Sequence, residues 1–151
     1  MPGHIEILSP DDFEQCGSIW DIHAHEDLAK RFYKQLVSKQ RITFVYRQDG
    51  ILIGEVSLVF ETDDPDYTVP NRRAYFSRFL VVEGFRNRGI GSALAQHVFH
   101  YAGQLGYNEL SVGVDLVNFD ALRLYHRLGF DRILNVEGDE GGKYLKLLRQ
   151  L

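Results

Sequence analysis

Hydrophobic residues recur along this chain with two different periods, and the switches between them mark its elements. His4 to Leu8 reads as a short first strand. Ser9 is placed to cap a helical segment, with Pro10 at its first position. From about Asp21 to Lys39, Leu28, Ala29, Phe32, Tyr33, Leu36 and Val37 return at three- and four-residue spacing, which predicts an amphipathic helix. The texture then becomes β-rich. Ile42 to Phe60 holds two strand-like runs joined at Asp49-Gly50, a hairpin signal. Glu61 to Arg73 is polar, carries two prolines and predicts a loop, and Ala74 to Val82 is the next strand. Gly89 to Gly106 predicts a helix with a stripe of Ile90, Leu94, Val98, Tyr101, Ala102 and Leu105, ended by Gly106. Glu109 to Leu116 is a strand. Asn118 is placed to cap a helix through Leu128, with Asp120 in its first turn. Gly129 stops that helix and Phe130 packs beyond it. Asp131 to Val136 and Lys143 to Leu151 are two final strands about the turn Glu137 to Gly142. The order β-α-α-β-β-β-α-β-α-β-β predicts a mixed α/β fold in one domain, without repeats or linkers.

Composition narrows the function classes. With 44% hydrophobic and 25% charged residues, the chain can bury a core and does not resemble a disordered one. The net charge of −4 argues against a general nucleic-acid binder. The single cysteine, Cys16, excludes an internal disulfide and a cysteine-rich zinc site. His97 and His100 are suitably spaced for one helix face but lack an H-E-x-x-H pattern, so no metal is expected. The N-terminus lacks a long apolar core, and the longest apolar run falls far short of the roughly 20 residues of a membrane helix. These features predict a soluble, cytoplasmic protein.

The stretch Phe85 to Leu94, FRNRGIGSAL, lies between a predicted strand and a predicted helix. A helix N-terminus offers free N–H groups and partial positive charge. Glycines let an anion approach them, and Arg86 and Arg88 add charge at the rim. The stretch has no Gly-Lys-Ser/Thr of a nucleoside-triphosphate loop, and Leu94 stands at the third glycine position of a dinucleotide fingerprint. What remains is Arg86-x-x-Gly89-x-Gly91. About thirty residues downstream come Asn118, Ala121, Leu124-Tyr125 and Gly129-Phe130.

Together these two blocks resemble the GNAT superfamily of acyl-CoA-dependent N-acetyltransferases. The resemblance is firmest from Tyr75 to Phe130, and its element order spans the chain. It implies one N-acetyltransferase domain over residues 1–151, with a central, mostly antiparallel mixed sheet, splayed middle strands and helices on both faces. It implies acetyl-CoA as cosubstrate and an amine acceptor. Phe79, Leu80 and Val81 would lie beside the pantetheine arm. The backbone of Asn87, Arg88, Gly89, Ile90, Gly91 and Ser92, with Arg86, would hold the pyrophosphate. Asn118 would hydrogen-bond the pantetheine, and Tyr125 would protonate the departing thiolate as general acid. A backbone N–H of the splayed strand, that of Val81, would stabilise the oxyanion. Asn118 also reads as a plain cap, and Tyr125 as a core residue sharing a face with Leu122 and Leu128.

The sequence departs from the family at one point. Many relatives carry a glutamate five residues before the asparagine, and that position here is Gly113. Asp115, Glu83 and Glu55 are the remaining candidates for a base, with a solvent relay as the alternative. Acidic residues Glu61, Asp63, Asp64 and Asp66 read either as an attractor for a cationic amine or as a solvated loop. Arg72, Arg73, Arg78, Arg86 and Arg88 gather positive charge near the cofactor motif, which leaves an RNA-facing role open. The absent glutamate also admits a non-catalytic coenzyme-A-binding sensor or interaction module, and a different acyl group is a further alternative. The C-terminal strands offer an edge that would suit a homodimer.

Overall fold

The computed structural model describes residues 3–151. Its elements follow the predicted order: β1 (Gly3–Ile7), a 3₁₀ segment (Pro10–Ser18), a 3₁₀ turn (His23–His25), α1 (Glu26–Ser38), β2 (Arg41–Gln48), β3 (Ile51–Val59), β4 (Arg73–Val81), α2 (Ile90–Gln104), β5 (Glu109–Asp115), α3 (Phe119–Arg127), β6 (Arg132–Asp139) and β7 (Gly142–Gln150). Local chemistry sets the boundaries. Ser9 accepts from the Asp11 N–H with Pro10 behind it, but the segment it opens winds as 3₁₀. α1 begins at Glu26 rather than Asp21, because the Asp21 carboxylate caps the short turn before it through the Ala24 N–H, 3.0 Å. Asp49 and Gly50 both have positive φ, 52° and 78°, as a two-residue hairpin turn of type I′ requires.

The strands run β1-β2-β3-β4-β5-β7-β6. The ladders β1–β2, β5–β7 and β6–β7 are antiparallel, and β4–β5 is parallel. That parallel ladder is short. It pairs Arg73, Ala74 and Tyr75 with Glu109, Leu110 and Ser111. Three residues on, Arg78 adopts φ 58°, an uncommon conformation for a non-glycine residue and the mark of an irregular strand.

The chain forms two compact units, one of residues up to Leu58 with Arg78–Val98, the other of Val59–Ser77 with Phe99–Leu151. In the first, Leu8, Cys16, Ile22, Ala29, Leu36, Val45 and Leu52 make the core, with Phe13, Ile19 and Trp20 packed on it. Ile90, Leu94, Ala95 and Val98 of α2 are buried as well. Gly54 allows α2 to sit close to β3, since a Cβ there would meet Leu94 Cδ1 at 3.0 Å. The second unit is built on aromatic rings. Phe76 lies 5.6 Å from Phe99 and 5.5 Å from Phe130. The predicted stripe of α2 holds for Ile90, Leu94, Val98 and Ala102, whereas Leu105 is 49% exposed because the helix ends at Gln104 before reaching it. Among the described residues, no helix is long and apolar enough to cross a membrane.

Candidate active site

The first unit carries the glycine turn. β4 ends at Val81, and the chain turns through Gly84, Asn87 and Gly89, all at positive φ (92°, 62° and 81°), before α2 starts at Ile90. Helical bonding begins with the Ala93 N–H to the Gly89 carbonyl, 2.9 Å. The N–H groups of Ile90, Gly91 and Ser92 therefore precede the first intrahelical donor and have no carbonyl four residues back within the helix. Nothing lies within 4 Å of where a Gly89 side chain would begin, so this rim is open. Gly91 faces inward, and a Cβ there would meet Phe79 Cζ at 3.2 Å and Val81 Cγ2 at 3.6 Å. The side chains of Phe79 and Val81 thus form the floor under the first turn of α2. A pyrophosphate fits an open, glycine-lined helix N-terminus of this kind.

The arginines of the motif divide by task. Arg86 donates from Nε to the Val81 carbonyl at 2.9 Å, which ties the turn back to the strand that leads into it. Its other guanidinium nitrogens remain available to an anion, since the side chain is exposed. Arg88 lies over the Phe85 ring at 5.4 Å. The wider arginine cluster read from the sequence is dispersed. Arg72 and Arg73 engage the buried Glu109 at 3.3 and 3.0 Å. Arg78 stacks on Trp20, 4.8 Å from its ring centre.

The second unit carries the downstream motif. Asn118 caps α3, its Oδ1 accepting from the Ala121 N–H at 3.1 Å. Tyr125 is half-buried, edge-on to Phe76 (6.3 Å) and Phe130 (5.8 Å). Burial, helped by the neighbouring Tyr75 phenol, pushes its hydroxyl up to about 12, so it stays protonated through the neutral range. Asp115 has a local role: its Oδ1 accepts from the Val117 N–H at 3.0 Å and its carbonyl from the Asn118 N–H at 3.0 Å. Its carboxylate fixes the turn that presents Asn118. Glu83 is exposed in the glycine turn of the first unit.

Gly113 is occupied from outside. The Tyr67 hydroxyl lies against its Cα, where a side chain would start, with Tyr67 Cζ only 3.2 Å from that point. Tyr67 is held there by a stack with Tyr75, ring centres 4.4 Å apart, and by Lys146 Nζ, 5.0 Å from its ring centre. Its phenol is pushed up to about 12, chiefly by burial. Any Cβ at position 113 must displace this ring. We expect Gly113→Ala to lower stability by ~1–3 kcal/mol, the usual cost of overpacking, as read from urea denaturation.

The acidic loop corrects the sequence reading. Asp64 and Asp66 do not serve as an open attractor for a cation. Together with Glu137 they converge on Lys146 Nζ, at 2.6, 3.2 and 2.7 Å respectively. Lys146 is only 1% exposed. The Lys146 hydrogen bond holds the Asp64 carboxyl below the ordinary carboxylate value. Burial alone would lower the lysine, but its bonds to Asp64, Glu137 and Asp66 overcome this and raise it. Glu61 and Asp63 stay exposed. Sequence reasoning missed both Tyr67 and Lys146. The legible signal was a lysine at position 146 inside the leucine-rich run of the last strand.

A glycine turn feeding a helix N-terminus on a mixed sheet is a setting suited to an anionic ligand. Residues 5–130 match the acetyltransferase (GNAT) family, and the chain belongs to it. Ard1 from Thermoplasma volcanium is similar in fold, with a TM-score of 0.74 at 20% identity over 100% of this chain and 99% of that one. The PaiA N-acetyltransferase from Thermoplasma acidophilum, in complex with coenzyme A, aligns with a TM-score of 0.70 at 18% identity over 100% of both chains. The ribosomal-protein-S18-alanine N-acetyltransferase from Escherichia coli aligns with a TM-score of 0.76 at 18% identity, over 98% of this chain and 93% of that one. No curated protein sequence matches the chain.

Proposed function

We propose that this protein transfers an acetyl group from acetyl-CoA to a primary amine, by direct attack with both substrates bound. The observation that carries the reading is the open, glycine-lined start of α2 in a chain of the GNAT family. The N–H groups of Ile90, Gly91 and Ser92 would bind the pyrophosphate, with Asn87, Arg88 and Gly89 shaping the turn and Arg86 adding charge. The backbone of Phe79, Leu80 and Val81 would align the pantetheine arm, and Asn118 would hydrogen-bond it. Acetyl-CoA would supply the activated thioester. The Val81 N–H would stabilise the developing oxyanion, and the Tyr125 hydroxyl would donate its hydrogen bond, and then its proton, to the departing sulfur.

Two measurements check this. Thiol release dependent on acetyl-CoA, followed across polyamines, aminoglycosides, amino acids and peptide N-termini, should show turnover with at least one amine; none at all would sink the enzymatic reading. Gly89→Val forces a β-branched residue to φ 81°. It should raise the Kd for acetyl-CoA about tenfold or more, in line with the ~1–3 kcal/mol of strain at such a site. An unchanged Kd by calorimetry would remove the turn from the cofactor site. A second reading has its own support: with Tyr67 covering Gly113, no carboxylate stands at that position, as a coenzyme-A-binding module without turnover would allow. Tight acetyl-CoA binding with no amine accepted would select it.

A further inference from the structure

The first unit buries a polar cluster to which the proposed chemistry gives no task. Gly54 on β3 faces α2, so its neighbour Glu55 points to the other side of the sheet. Glu55 is 5% exposed. Around it are Trp20, Arg41 from β2 and Arg78 from β4. Arg41 and Arg78 lie over the Phe32 ring of α1, at 3.9 and 5.7 Å, and Arg78 also covers the Trp20 indole. Three buried side-chain atoms in this cluster have no hydrogen-bond partner: Trp20 Nε1, Glu55 Oε1 and Arg78 Nε. The indole N–H faces the Glu55 carboxyl without closing a hydrogen bond to it.

Buried polar atoms are rarely left unpaired, and three in one cluster ask for a common partner. Two of them donate and one accepts. A water placed among them would accept from Trp20 and Arg78 and donate to Glu55, and would keep one further bond for a ligand. The backbone supports a functional reading of the place. Arg78 is held at φ 58° inside a strand, a strain of ~1–3 kcal/mol where it persists, immediately before the Phe79–Val81 segment assigned to acetyl-CoA.

We propose that Glu55 is the proton acceptor for the incoming amine, acting through a water held between Trp20, Glu55 and Arg78. The proposal rests on the N-acetyltransfer reading and adds the base that Gly113 does not provide. The substrate ammonium gives one proton to the water as the water gives one to the Glu55 carboxylate. The neutral amine then attacks the thioester carbon, and the C–N bond forms as the C–S bond breaks. The thiolate takes its proton from Tyr125, the second nitrogen proton restores Tyr125 through solvent, and Glu55 later returns its proton to solvent. The net products are the amide, free thiol and one proton. The positive charge of Arg78 disfavours an ammonium beside it and so assists the first step.

The electrostatics agree. Burial pushes Glu55 up to about 7, with Arg78, Arg41 and the Trp20 N–H pulling the other way. Cys16 also faces it, but that thiol is pushed to about 12, mainly by burial, and remains neutral. Arg47 acts on Cys16 and is itself paired with Glu6 at 2.6 Å. The His25 imidazole lies 6.4 Å from the Trp20 ring, tilted against it.

Trp20 is the single tryptophan of the chain, so its fluorescence reports on this cluster without any ligand. In the full chain we expect a fluorescence step with a midpoint near 7, abolished in Glu55→Gln and kept in His25→Gln. With an accepted amine, kcat/KM should fall on the acid side of the same midpoint. Glu55→Gln should lose that limb and ~10²-fold or more in kcat, with the Kd for acetyl-CoA unchanged, and Glu55→Asp should recover part of both. Arg78→Gln should move the fluorescence step and the acid limb upward together; this keeps the test alive if Glu55→Gln fails to fold. A step that survives Glu55→Gln, an acid limb that survives it, or an Arg78→Gln variant in which neither moves would overturn the proposal while leaving acetyl transfer intact. A wild-type chain that accepts no amine would overturn both.

Discussion

Replacing Tyr125 with phenylalanine is expected to lower kcat about 10²-fold while leaving the Kd for acetyl-CoA unchanged. The structure sets both halves of that expectation. The ring is held edge-on by Phe76 and Phe130, so phenylalanine keeps the packing and the fold. Only the hydroxyl is lost. Because burial pushes that hydroxyl up to about 12, in the proposed role it would act first as a hydrogen-bond donor to the sulfur, since full proton transfer to a free thiolate would be uphill. The loss should therefore lie near the lower end of the range for general acids, ~10²- to 10⁴-fold. Loss of kcat at constant KM would mark an interaction made only in the transition state. Unchanged single-turnover rates would remove Tyr125 from the chemistry and leave it as a core aromatic.

Lys146→Met should cost ~2–3 kcal/mol, or about 5–10 °C in Tm for a chain of this length. Methionine fills most of the volume, so the effect is electrostatic. Removing one partner of a buried ion pair costs ~3–5 kcal/mol when the other is stranded. The carboxylates here are one-third to one-half exposed (33%, 32% and 56%), so water takes up part of the loss. The variant should also depend differently on pH. Asp64 has a folded pKa below its unfolded value near 3.8, so its contribution is complete above that value and disappears as pH falls through the lower, folded one. In the variant the three carboxylates repel one another until they are protonated. The Tm gap between parent and variant should narrow below about pH 4. A gap that stays constant into acid would show that Lys146 acts by packing alone. The change should also loosen the 61–72 loop where Lys146 ties it to the last strand, while Arg73, Ser111 and the Tyr75 stack continue to hold it.

The two motifs behave differently when folded. The turn from Phe85 to Gly91 is legible because its properties are local: positive φ at Gly89 and free N–H groups at a helix start follow from neighbours in the chain. The same holds for Asn118 as a cap and for the Asp49-Gly50 hairpin. Side-chain partners were not legible, since they come from distant segments. Asp64 and Lys146 are 82 positions apart, and a loop carboxylate looks the same in sequence whether water or a buried lysine faces it. Arg86 looked like a plain phosphate ligand, and its bond to the Val81 carbonyl shows a second task.

What the sequence determined by itself is the order of the elements, the family and the glycine-lined start of α2, because periodicity, caps and turns are encoded over a few residues. Tertiary structure alone decided which charged groups are engaged and which are stranded. Gly113 is the plainest case. In the sequence it is a missing glutamate; in the fold it is the space that the Tyr67 hydroxyl occupies. Glu55 is the converse, one of three candidate bases in the sequence and set apart only when Trp20, Arg41 and Arg78 close around it and remove it from water. Desolvation depends on what other segments bring to a site, and no local pattern records that.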